Sequence, residues 1–297
     1  MFVNRFWDNS KHYAICHRCY PIRLIIELFE ELEQLKYIPT IPEFVEWIQE
    51  KWHDLPALSD TISTYTYARM CNNIAHKRAL LNSLGLEKGD KVAILLMNCL
   101  EWLPIYFGIL KTGALAVPLN FGYSPDEIEY CLDLAEADVL IFGPEFIGRV
   151  ERIANKVSKK CTLIYYGGGC PAFAEDYRDL VSEHSGIFPD CELEESDDAA
   201  IYFSSGTTGF PKAILHNHES LIHSCKVEQN HHSQTKDDCF LCIPPLYHTG
   251  AKMHWFGSLL TGSKAVILKG TRAKTIIEAA STEKCSIVWL LVPWAQD

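Results

Sequence analysis

The residues best suited to chemistry lie together in Ser204-Ser205-Gly206-Thr207-Thr208-Gly209-Phe210-Pro211-Lys212, which packs four hydroxyls, two glycines and a lysine into one short segment. Glycines let backbone N–H groups crowd around an anion. Serine and threonine hydroxyls donate further hydrogen bonds, and a lysine adds the charge that makes bonds to phosphate strong. Pro211 disfavours helix at Phe210. The composition therefore suits a polyphosphate. A plain Ser/Thr/Gly hairpin turn is the competing reading, but such turns rarely concentrate this many donors. The segment is not a Walker A loop, because Lys212 follows a proline and leads into Ala213-Ile214-Leu215-His216, an apparent strand rather than a helix. The Gly-x-Gly-x-x-Gly dinucleotide fingerprint is absent as well.

A loop of this kind needs a rigid frame, and the flanking sequence supplies one. Ala199–Phe203 reads as a buried strand entering the loop. Upstream, the pattern predicts helices over about 42–52 and 66–83, a strand at 91–96, a helix to about Lys111 ended by Gly113, and a strand at 114–119. Ser124-Pro125-Asp126-Glu127 reads as a helix start, with serine as cap, proline in the first turn and glutamate three residues after the cap. Strands follow at 139–142 and 162–166. Gly167-Gly168-Gly169 opens an acidic stretch to Asp198 that reads as linker, and a last strand is expected at 286–291. Alternation of this kind implies an α/β fold of helices and largely parallel sheets. Residues 1–40 match no pattern beyond one amphipathic helix carrying Ile22, Ile25, Phe29 and Leu32.

Composition narrows the function classes. The chain has 297 residues and a net charge of −11, so no broad basic surface for nucleic acid is expected. No run reaches the roughly 18 apolar residues of a membrane span. The N-terminus lacks the apolar core of a signal peptide, and the scattered cysteines read as reduced thiols in a cytoplasmic protein. Cys16-His17-Arg18-Cys19, Cys239-Phe240-Leu241-Cys242, and His216, His218, His231 and His232 invite a zinc reading. On a strand, side chains three apart face opposite ways, and no closed tetrahedral set is visible, so no metal ligand is assigned.

The loop resembles the signature segment of the adenylate-forming superfamily, the acyl- and aryl-CoA synthetases, luciferases and adenylation domains, whose pattern is Thr-Ser-Gly-Ser/Thr-Thr-Gly-x-Pro-Lys-Gly. Ser204 stands for the first threonine and keeps its hydroxyl; Ala213 stands for the last glycine. Three scaffold segments extend the resemblance: Tyr65-Thr66-Tyr67-Ala68-Arg69-Met70, Gly85-Leu86-Glu87-Lys88-Gly89-Asp90-Lys91-Val92-Ala93, and Leu110 to Asn120 around Lys111-Thr112-Gly113. Pro244-Pro245-Leu246-Tyr247-His248-Thr249-Gly250 resembles the family's Pro-Leu-aromatic-His-x-x-Gly. A histidine on its own is more often structural than functional.

The resemblance runs from about Phe44 to the end. It implies an acyl-CoA synthetase that joins a carboxylic acid, fatty or aryl, to coenzyme A through an acyl-adenylate, using ATP and Mg²⁺. It implies that Ser204, Ser205, Gly206, Thr207, Thr208, Gly209 and Lys212 bind phosphate, that His248 lies near the reacting carboxylate, and that Tyr247 walls the acyl pocket. Met253, Trp255 and Phe256 are open to two readings, the pocket's apolar lining or core residues on a helix.

The resemblance further implies domains. Residues 1–40 form an unmatched extension and 41–297 an incomplete AMP-binding N-terminal domain, with a linker-like loop at about 167–198. The family's aromatic-Gly-x-Thr-Glu segment, its ribose-binding aspartate and its small lysine-bearing C-terminal domain are not found in the sequence. The expectation is a truncated ligase with little activity of its own, completed if at all by a portion in trans. The rival reading is a non-catalytic nucleotide-binding module; a kinase lacks its Gly-rich loop.

Overall fold

The computed structural model describes residues 40–183, 191–204 and 209–289. Along the chain these form α1 (Ile41–Trp52), β1 (Pro56–Ser59), β2 (Thr64–Thr66), α2 (Tyr67–Ser83), β3 (Lys91–Leu95), α3 (Trp102–Thr112), β4 (Leu115–Pro118), α4 (Pro125–Ala135), β5 (Val139–Phe142), α5 (Ile147–Val157) and β6 (Thr162–Tyr165). They continue as β7 (Glu175–Asp176), α6 (Tyr177–Glu183), β8 (Asp198–Ser204), β9 (Lys212–Asn217), α7 (His218–His232), β10 (Cys239–Cys242), α8 (Thr249–Thr261), β11 (Lys264–Ile267), α9 (Ala273–Thr282) and β12 (Ile287–Val288). The helix expected around Ile22–Leu32, the Cys16–Cys19 pair, Ser205–Thr208, and the last strand beyond Trp289 lie outside the described residues.

Local chemistry sets the element boundaries. Thr40 caps α1 and Ser124 caps α4, each in a reciprocal capping box with the glutamate three residues on, Glu43 and Glu127. Thr66 caps α2, and Gly113 closes α3 in the left-handed region. Val92–Leu95, Leu115–Pro118 and Val139–Phe142 are buried, as befits strands covered by helices on both faces.

Two sheets result. One runs in the order β7-β6-β5-β3-β4-β8-β9 and the other β12-β10-β11-β1-β2. All neighbours are parallel except the β1–β2 and β8–β9 hairpins. The core of the larger sheet joins Leu95, Val117, Leu140 and Phe142 to Ile128 and Leu132 of α4 and Val150 and Ile153 of α5.

One expectation is corrected and one element is added. The stretch read as linker from 167 to 198 holds β7, which adds a strand to β6, and α6. Tyr177 opens that helix with its ring buried, so apolar packing overrides the acidic, glycine-rich composition. The β1–β2 hairpin, too short to show periodicity, was not expected; it pairs with β11 and borders the smaller sheet.

Candidate active site

In the larger sheet β3, β4, β5, β6 and β8 run parallel, so Leu95, Pro118, Phe142, Tyr165 and Ser204 end on one edge. In open α/β sheets that edge is where ligands bind. The loop anticipated from sequence starts there. Strands β8 and β9 pair antiparallel from Asp198 with Asn217 to Ser204 with Lys212, so Ser204 and Lys212 face each other at the loop's base. Ser205, Gly206, Thr207 and Thr208 lie between, outside the described residues. Gly209 has φ +110°, a conformation that L side chains rarely adopt. Phe210, half exposed, packs its ring against Tyr130 of α4 at 4.7 Å. Pro211 is buried and Lys212 is exposed; among the described residues its ammonium forms no ion pair.

The hairpin is registered to the rest of the sheet at Ala116 with Ala200. Deeper, the Tyr202 hydroxyl donates to that of Tyr106 on α3 at 3.1 Å, both rings being buried. Burial raises both phenols above their ordinary range. Lys252 of α8 lies 5.9 Å from the Tyr202 ring centre and donates to Ser224 Oγ at 3.0 Å; burial lowers its ammonium pKa.

The second predicted segment follows β10. Tyr247 sets its ring edge-on to Phe121, 5.2 Å away, just beyond the end of β4. Burial raises the Tyr247 phenol. His248 is exposed and caps α8, its Nδ1 accepting the Gly250 N–H at 3.1 Å. A neutral ring that accepts at Nδ1 carries its proton on Nε2, which leaves that N–H free to point away from the helix. Gly250 explains its own place in the motif: a Cβ there would stand 3.1 Å from the Trp289 ring and 3.2 Å from His248 Nδ1.

Asn98, just past β3, was not singled out in the sequence, where it is one polar residue in an apolar run. It is buried, and its Nδ2 donates to the carbonyls of Pro244 (3.0 Å) and Leu268 (2.9 Å) while its Oδ1 accepts the Leu246 N–H at 2.9 Å. One side chain thus fastens the segment before Tyr247 and His248 to the end of β3, joining the two sheets at their carboxyl ends. No period or composition marks such a residue; only its three long-range partners do.

Of the two readings open for Trp255, its burial favours the core. It is fully buried, with ring centres 6.3 Å from Trp102, 5.8 Å from Tyr106 and 5.8 Å from Phe107, on the α8 face that meets α3. Phe256 is buried beside it, 4.7 Å from Phe44. Met253 is half-buried. In the Cys239–Cys242 pair, Cys242 is fully buried, and Cys239 sits with its Sγ 3.7 Å from Cys285 Sγ. The ten cysteines among the described residues are all free thiols.

Known proteins resemble this chain in sequence and fold. The long-chain-fatty-acid–CoA ligase FadD13 of Mycobacterium tuberculosis is 30% identical over 229 residues, which cover 76% of this chain and 42% of that protein. The acyl-CoA ligase sidI of Aspergillus fumigatus is 26% identical over 246 residues, 76% of this chain and 41% of the relative. The chain thus spans less than half the length of these curated relatives. Among solved structures, a long-chain-fatty-acid CoA ligase from Rhodopseudomonas palustris superposes with a TM-score of 0.80 at 20% identity, over 86% of this chain and 64% of that one. The N-terminal domain of FACL13 from M. tuberculosis, with inhibitor bound, gives 0.77 at 24% identity over 86% and 64%. These likenesses show a shared fold. The profile of the AMP-binding enzyme family matches residues 45–296, and the chain belongs to that family.

Proposed function

We propose that the chain provides the phosphate- and carboxylate-binding part of an ATP-dependent acid–CoA ligase acting on a fatty or aryl acid in the cytoplasm. The observation that carries this reading is the β8–β9 hairpin, which sets Ser204 and Lys212 face to face at the base of a hydroxyl- and glycine-rich loop on the carboxyl edge of the sheet. Membership of the AMP-binding family supports it, as do relatives that are acyl-CoA ligases. No helix among the described residues is long and apolar enough to cross a membrane.

In the proposed reaction a carboxylate attacks the α-phosphorus of ATP, releasing pyrophosphate and leaving an acyl-adenylate. The thiol of coenzyme A then attacks the acyl carbon and AMP departs. The first step gathers charge on the leaving phosphates, so this chain's contribution is positioning and charge stabilisation. Ser204, Ser205, Gly206, Thr207, Thr208, Gly209 and Lys212 hold the β- and γ-phosphates that leave together. The left-handed turn at Gly209 and the exposed ammonium of Lys212 suit a polyanion. Mg²⁺ would supply further charge neutralisation there, and no residue of this chain is assigned to it. Tyr247 walls the acid pocket beside Phe121, Met253 lies farther along the same helix as His248, and the Nε2–H of His248 is directed toward the reacting carboxylate.

The test is pyrophosphate and ATP titration calorimetry on the 297-residue chain. Lys212→Ala should weaken binding by ~1.5–3 kcal/mol, the scale of a charged hydrogen bond. Because Lys212 is exposed, thermal stability should stay unchanged. Equal affinity in both proteins would remove Lys212 from the site and with it the phosphate-loop reading.

A further inference from the structure

We propose that Glu228, His232 and His254 form a binding site for a divalent transition metal of the zinc class, bridging α7 and α8. Glu228 and His232 stand one helical turn apart on α7, so their side chains share a face. His254 comes from α8, which packs against that face. One ligand atom from each residue falls within 4.8 Å of the other two. His232 Nε2 lies 2.9 Å from Glu228 Oε1 and His254 Nε2 lies 3.5 Å from the same oxygen.

Those separations match a coordination sphere. Zinc bonds to nitrogen and oxygen at about 2.0–2.2 Å, which places neighbouring tetrahedral ligands roughly 3.3 Å apart. The two imidazoles, ring centres 5.3 Å apart, need only close slightly around the ion. His254 is held for the task. Its ring stacks on Phe240 at 5.2 Å and leans on Trp289 at 6.0 Å, and its side chain is 8% exposed. His232 is 37% exposed, so the fourth position faces water. Two nitrogens and one carboxylate suit zinc, cobalt, nickel or copper; magnesium and calcium prefer oxygen throughout. Without metal, both imidazole Nε2 atoms face the Glu228 carboxylate.

The site was hidden in the sequence because its ligands come from two helices. Glu228-x-x-x-His232 is a common helical pairing, and His254 joins it only when α8 docks on α7.

The probe is the metal alone. The metal-stripped 297-residue chain is titrated with Co²⁺ and followed by visible absorption, then back-titrated with Zn²⁺, and melted with and without Zn²⁺. The expected result is one equivalent of Co²⁺ with a four- or five-coordinate d–d spectrum, displaced by Zn²⁺, and a melting temperature raised by Zn²⁺. His232→Ala and Glu228→Gln should each weaken Zn²⁺ binding about tenfold or more, the scale on which metal sites lose affinity. His231→Ala, beside the triad but outside it, should bind as the parent does. His232 is solvent-facing, so its variant keeps the fold, which the metal-free melts check. Absence of saturable binding below millimolar metal, or equal binding by His232→Ala and Glu228→Gln, would overturn the site.

Discussion

His248 illustrates how a motif residue can hold two jobs. Its imidazole is the N-cap of α8, and losing a side-chain cap costs about 0.5–2 kcal/mol. His248→Ala therefore lowers stability whether or not the ring meets substrate. Asparagine separates the roles, because its amide oxygen also accepts from a helix N-terminus. His248→Asn should melt near the parent temperature while pyrophosphate–ATP exchange falls at least as far as in His248→Ala. Exchange restored by asparagine would mean that the ring is only a cap. The position was legible in the sequence from its register after the loop; the cap was not, since histidine is an unusual capping residue. Trp255 shows the converse: an aromatic next to a motif reads equally well as lining or core, and only the face that α8 turns toward α3 decides between them.

Among elements, the start of α7 carries a buried histidine with a predictable acid response. His218 is 1% exposed, and its Nδ1 accepts the Ile41 N–H at 3.2 Å, tying α7 to α1. Burial holds its pKa at about 4, with Asp197 opposing the shift and Lys88 adding to it. Unfolded, the same ring titrates near 6.5. Between those values the unfolded chain takes up a proton that the fold refuses. Stability is therefore full above pH of about 6.5 and declines as pH falls toward 4, by about 3 kcal/mol at most from this group. His218→Asn keeps an acceptor for Ile41 without the titration. Urea melts at neutral and mildly acidic pH should show a smaller loss in the variant than in the parent; equal losses would assign the acid response to other groups. Element boundaries were legible wherever a cap or a buried apolar run marked them, as at Ser124, Thr66 and Val139–Phe142. They were not legible where an element is short and depends on partners: β1 and β2 exist by pairing with β11 and each other, and α6 by burying Tyr177.

For the molecule as a whole, the seam between the two sheets rests on Asn98. Alanine there would leave the carbonyls of Pro244 and Leu268 and the Leu246 N–H without their partner. A buried polar group left unmet costs about 1–3 kcal/mol, so Asn98→Ala should lose ~3 kcal/mol or more in denaturant unfolding. Amide exchange at Leu246 should also quicken selectively. A loss under ~1 kcal/mol would show that the seam is held elsewhere. The α/β class was readable from the alternation of patterns, and the family from the loop. The seam was not, because hydrogen bonds between residues so distant in sequence leave no local signature.

The β8–β9 hairpin can be viewed as a cantilever. Its root is clamped where Ala200 meets Ala116 and where Tyr202 meets Tyr106. Its outer strand β9 has no neighbour beyond β8 among the described residues. Deflection therefore concentrates toward Ser204 and Lys212, which move as a pair because they are cross-strand partners. The Asn98 seam lies on different strands and takes none of that load. Compliance at the hairpin tip and stiffness at the Asn98 seam thus belong to separate elements, and each can change without retuning the other.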